Sequence, residues 1–103
     1  MRIIWRDQAR NDLREAIQYL RERDLKFALR TSQTIRQKVK LLAYHPHLGR
    51  AGRVESTREL VVAGTPYVVA YTVDSQIKAV VILRILHGRR LWPEGFSEGD
   101  EQQ

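Results

Sequence analysis

Apolar residues recur at helical spacing in the first half of the chain and at strand spacing in the second. Ala9, Leu13, Ile17 and Leu20 follow one another at intervals of four, four and three. That is one face of an amphipathic helix, with Arg10, Arg14, Glu15, Gln18 and Arg21 around it. Asp7 precedes the run and suits its N-cap. Asp24 interrupts the pattern and suits the cap of a second helix from about Leu25 to Tyr44. Ala28, Ile35, Val39 and Leu42 form the buried stripe of that helix, and Arg36, Lys38 and Lys40 keep to water. The link at Arg23 and Asp24 is so short that the two helices must fold back as an antiparallel hairpin. His45-Pro46 ends the second helix, because a residue before proline avoids the α region.

Period two takes over after Thr57. Arg58–Ala63, Tyr67–Val73 and Ile77–His87 read as three consecutive strands, joined at Gly64-Thr65-Pro66 and Asp74-Ser75-Gln76. Met1–Trp5 is a short apolar strand that must pair with this later meander, and Trp5 suits the edge of the core. The segment between hairpin and meander, HPHLGRAGRVEST, is a loop. The last strand is unbroken and apolar from Ala79 to Leu83, so it is central. Strict alternation sends Ile77, Ala79, Val81, Leu83, Ile85 and His87 one way, and Lys78, Val80, Ile82, Arg84 and Leu86 the other. The hairpin covers one face. Arg84 is therefore expected on the open, concave face, since at the helix interface it would need a paired carboxylate. The elements predict an α+β fold, β-α-α-β-β-β, in which an antiparallel β-sheet carries the N-terminal helical hairpin on one face. Residues 1–93 make a single domain. Residues 94–103 are acidic and without periodicity, and are expected to be disordered.

Charge adds a partner class. All 18 Lys and Arg lie in residues 1–93 against eight acids, a net +10, while the last ten residues carry −4. So basic a domain favours a polyanionic or acidic partner, solubility being the plain alternative. The chain has 103 residues and no cysteine, so neither a disulfide framework nor an oxidising compartment is indicated. No run is long enough for a signal peptide or a membrane span, and a cytoplasmic protein is expected.

The candidate chemistry is sparse. His45 and His47 stand two apart without the Cys or carboxylate set that a metal needs, and surface histidines are expected there. No Gly-rich nucleotide loop or nucleophile elbow occurs, and no cofactor is implied. Gly49 and Gly52 space Arg50 and Arg53 so that guanidinium and N–H groups could meet phosphate; an ordinary turn with solvated arginines reads equally well. Beyond Gly88, Arg89, Arg90 and Trp92 offer two cations and an aromatic ring to a nucleic acid or other target. Metal-free RNA cleavage needs a base, an acid and cations around the phosphate. Arg58, Arg84 and His87 could supply these with Glu59, Tyr67 and Tyr71, if they converge. Arg58 and Glu59 are neighbours on a strand, so only one of them can share a face with Arg84.

The order of elements, the pattern Asp12-Leu13, Ile17, Tyr19-Leu20, and the stretches HPHLGRAGR, TRELVV, PYVVAYTV and LRILHGRRLWP together resemble the RelE/ParE superfamily of bacterial toxins over residues 2–93. The resemblance implies a fold like a microbial ribonuclease. It implies the toxin half of a type II toxin–antitoxin module, neutralised by a cognate antitoxin and meeting operator DNA only within that complex. ParE-like members inhibit DNA gyrase without chemistry of their own, whereas RelE-like members cleave mRNA on the ribosome. RelE-like chains commonly have Arg-Leu-Val-Tyr in the second meander strand, where this chain has Val68-Val69-Ala70-Tyr71. The resemblance thus leans to the ParE-like branch, with Arg58, Arg84 and His87 catalytic only in a ribonuclease.

Overall fold

The computed structural model describes residues 1–88. Arg89, Arg90, Trp92 and the acidic tail lie outside the described residues. The elements are β1 (Arg2–Trp5), α1 (Asp7–Arg21), α2 (Leu25–Leu41), β2 (Arg50–Ala51), β3 (Arg58–Val61), β4 (Tyr67–Asp74) and β5 (Ala79–His87). The sheet order is β1-β5-β4-β3-β2. The α+β arrangement follows the sequence pattern, with two differences. β1 pairs with β5 in parallel, from Arg2↔Ala79 to Trp5↔Ile82, so the sheet is mixed. Parallel neighbours need a long crossover, which the whole intervening chain supplies. In addition, Arg50 and Ala51 form a two-residue strand against Glu59 and Arg58, in a segment expected to be all loop.

The helices form where the apolar spacing places them. Ala9 and Leu13 are buried on α1, and Ala28, Thr31, Ile35 and Val39 on α2. Of these, Ala9, Leu13, Ile35 and Val39 pack with Val69, Tyr71, Val80, Ile82 and Ile85 as the main core, with Trp5, Ile17 and Leu20 at its margin. The Asp24 carboxylate accepts the Phe27 N–H at 3.1 Å, capping α2 as expected. Asp7 does not cap α1. Arg6 occupies that position with extended backbone and no side-chain hydrogen bond, and Asp7 is the first helical residue. There its charge faces the positive end of the helix dipole. Among the described residues, no helix is long and apolar enough to cross a membrane.

Strict alternation fails in β5. The register against β4 passes from Ala70↔Arg84 to Tyr71↔Ile82, leaving Leu83 as an extra residue. Such a bulge shifts the side-chain phase by one and re-aims its neighbours. Val80, Ile82 and Ile85 therefore join the helix-side core, while Ala79, Val81 and Leu83 cluster with Ile4 on the opposite face. The loop 52–57 folds over part of that opposite face, where Thr72 Oγ1 donates to the Ser56 carbonyl at 2.8 Å.

Candidate functional site

The sequence singles out cations on the sheet, and the structure gives most of them a partner inside the fold. Arg84 is not on an open face. Its guanidinium grips Asp12 of α1 in a fork, Nε to Oδ2 at 2.8 Å and Nη2 to Oδ1 at 3.0 Å, and the Ile85 N–H donates to the same carboxylate at 2.9 Å. β1 pairs only with Ala79–Ile82, so it stops short of Ile85. Asp12 takes the Ile85 N–H, and the Leu83 bulge brings Arg84 to the same carboxylate. The two side chains are 16% and 9% exposed. A charge pair this deep needs the bidentate geometry it has.

Glu59, on β3, is 2% exposed. It accepts from the Arg53 backbone N–H at 2.9 Å and from the Arg53 guanidinium at 3.2 Å, and Arg50 approaches it at 3.9 Å. The two loop arginines thus come together at a buried carboxylate. Arg58 points elsewhere. Cross-strand partners share a face, and Arg58 lies opposite Tyr71, with Glu59 opposite Ala70. The Arg58 guanidinium donates to the carbonyls of Gly49, at 2.8 Å, and His47.

Tyr71 fixes the same loop from beneath. Its hydroxyl donates to the Pro46 carbonyl at 2.8 Å and accepts from the Gly49 N–H at 2.8 Å. A Cβ on Gly49 would stand 2.8 Å from the Tyr71 ring, so this close approach requires glycine. Burial raises the Tyr71 pKa above its ordinary value, opposed by the Gly49 hydrogen bond and the charge of Arg58.

His87 ends β5 edge-on to Tyr67, ring centroids 5.6 Å apart. Arg84 and His87 line one cleft of about 770 Å³ with Asp12, Glu15, Tyr19 and Tyr67. Arg58 is not in it. Arg58 belongs to the sheet row of Tyr71 and His87 to that of Tyr67, four residues along β4, or about 13 Å. Among the described residues, no three His, Cys, Asp or Glu side chains gather as a metal site.

A second cleft, about 990 Å³, opens between the helices. Arg10, Arg14 and Arg21 of α1 and Arg36 of α2 rim it, above Trp5, Leu13 and Ile17. These arginines were not singled out in the sequence, although positions 10, 14 and 21 share one helical stripe. Arg10 lies 3.9 Å from exposed Asp7. Among the described residues, Arg14, Arg21 and Arg36 have no carboxylate within 4.0 Å.

Comparison with known proteins agrees with this architecture. A chromosomal ParDE toxin–antitoxin system from P. aeruginosa contains a chain that superposes with a TM-score of 0.77 at 26% identity, covering 86% of this chain and 97% of that one. Y4kP of Sinorhizobium fredii, described as a candidate toxin, is 37% identical over 93 residues, 90% of this chain and 94% of its own length. The family profile of the ParE toxin of the parDE type II toxin–antitoxin system matches residues 3–92. The chain therefore belongs to the ParE family of type II toxin–antitoxin toxins.

Proposed function

We propose that this toxin inhibits DNA gyrase by binding, without chemistry of its own, and is neutralised by its cognate antitoxin. The observation that carries this reading is the dispersal of the cations a phosphodiester transfer would need. Arg84 is neutralised by Asp12, Arg58 is turned onto loop carbonyls, and His87 lies rows away from Arg58. Val68, which is buried, offers no charge at the position that the resemblance gives to an arginine in RelE-like chains. Stabilising a developing phosphorane calls for preorganised donors aimed at one point. Adding the purified toxin to gyrase should reduce supercoiling and accumulate linear DNA. Full supercoiling at saturating toxin would refute the proposal.

One observation favours the ribosome-dependent mRNA endoribonuclease as a second reading: Arg84, His87, Glu15 and Tyr67 share a cleft. In that case primer extension on translated messages should show breaks that disappear in His87→Ala. Messages left intact during growth arrest would exclude it.

A further inference from the structure

The two helices carry their charge differently. α1 sets three arginines against Asp7, Asp12 and Glu15, whereas the 17 residues of α2 contain five cations and no acid. The buried stripe of α2 is Ala28, Thr31, Ile35 and Val39. At about 3.6 residues per turn, the face directly opposite carries Lys26, Arg30, Gln33, Arg36, Gln37 and Lys40, all of them exposed. Among the described residues, none of these four cations has a carboxylate within 4.0 Å. The Asp24 carboxylate at the head of the helix is taken by the Phe27 N–H. Helix stability explains Lys40, near the negative end of the dipole. It does not explain Lys26, the second helical residue, which stands at the positive end and is unfavourable there.

We propose that this outer face of α2 binds the phosphate backbone of duplex DNA, without reading its sequence. From Lys26 to Lys40 the row runs about 21 Å. One DNA strand carries a phosphate about every 3.4 Å of axis, so about six phosphates pass along it. The four cations supply the attraction, and Gln33 and Gln37 between them donate amide hydrogen bonds to phosphate oxygens. A convex helix face fits the major groove of B-form DNA, whereas that of an RNA duplex is too deep and narrow for side chains to follow. A protein partner would want an apolar centre, and Leu29 alone is apolar on this face. The row is separate from the cleft between the helices, which only Arg36 of the six also lines. The inference goes beyond the gyrase reading and does not depend on it. Under that reading the toxin docks on an enzyme that holds DNA, and this face adds a grip on the same DNA.

The test titrates the purified full chain into a labelled DNA duplex of about 20 base pairs, by fluorescence anisotropy across a salt series. Lys26→Gln/Arg30→Gln/Lys40→Gln, which leaves the cleft untouched, should bind about 50-fold more weakly at low salt. The slope of log affinity against log salt should be shallower by about 2.7, or about 0.9 for each cation removed. A control with the same loss of charge elsewhere, Arg2→Gln/Arg10→Gln/Lys78→Gln, should keep most of the affinity. Should the first variant melt early, Arg30→Gln and Lys40→Gln singly take its place, each about 0.9 shallower. An unchanged slope in a folded variant would overturn the proposal. An equal loss in the control would do the same, because net charge and not this face would then bind. Tighter binding of an RNA duplex of the same sequence, or of polyglutamate, would also overturn it, by assigning the face to RNA or to an acidic protein. Failure of the wild-type chain to inhibit gyrase would refute the gyrase reading alone, because the duplex assay contains no gyrase.

Discussion

Arginine does opposite things at the two ends of this molecule. On the sheet, Arg84 and Arg53 hold buried carboxylates and Arg58 holds loop carbonyls. Between the helices, Arg14, Arg21 and Arg36 meet no described carboxylate. The sequence looks uniformly basic, yet its cations divide by whether an acid lies within reach in the fold. A spent arginine stabilises and orders. An unspent one attracts. The net charge of +6 therefore says less about binding than does the place where neutralisation fails.

The sharpest way to break this contrast is at Asp12. Asp12→Ala strands the Arg84 guanidinium and the Ile85 N–H together. Removing one member of a buried pair costs about 3–5 kcal/mol, and in a domain this size each kcal/mol lowers the melting temperature by about 4–8 °C. Thermal unfolding checks it. Asp12→Leu/Arg84→Met should recover most of the loss, because burial of the pair is itself expensive. A drop below about 1 kcal/mol in Asp12→Ala would mean that Arg84 is as free as the cleft arginines.

Glu59→Gln comes next, at about 2–3 kcal/mol. The effect is smaller because Arg53 is 35% exposed and can turn to water once the charge is gone. Proteolysis within residues 50–57 should rise in parallel, since Glu59 ties the Arg53 backbone as well as its side chain.

How far this contrast was legible in the sequence depends on range. Helix faces were, because burial at Ala28, Ile35 and Val39 follows from spacing alone. The Asp24 cap was, because it acts within three residues. The two-residue β2 was not, as it exists only by pairing with Glu59 and Arg58. The placement of Arg84 failed for a specific reason: period two holds only in a regular strand, and nothing local in Val80-Val81-Ile82-Leu83-Arg84 marks Leu83 as a bulge. The need for a carboxylate was foreseeable, but its identity was not. Asp12 lies 72 residues away, beside the apolar stripe of α1, where a solvated acid would look the same. The molecular target is a further step removed, since fold and target are separable.

Tyr71 tests the sheet end through pH. Tyr71→Phe leaves the Gly49 N–H and the Pro46 carbonyl without this partner, for about 1–3 kcal/mol. The folded pKa lies above the ordinary value of 10.0, so the native state holds the phenolic proton more tightly than the unfolded chain does. Its contribution is complete below pH 10 and is lost as pH rises toward the folded pKa. Wild-type stability should decline in that window, and Tyr71→Phe should decline less steeply in alkaline denaturant titrations. Parallel slopes would mean that the hydroxyl titrates as if exposed.

The smallest expected change is the most informative about the other end. Arg14 lies on the exposed face of α1, with no carboxylate partner among the described residues. Arg14→Ala removes solvated charge and installs the best helix former. Stability should move by less than about 0.5 kcal/mol, in either direction. Set beside Asp12→Ala, this makes the difference between spent and unspent arginines a measured ratio on one helix. A loss above about 1 kcal/mol in denaturant unfolding would make Arg14 structural, its stem packed over the floor of the cleft. The cleft would then be part of the scaffold, and the contrast between the two ends would collapse into a difference of degree.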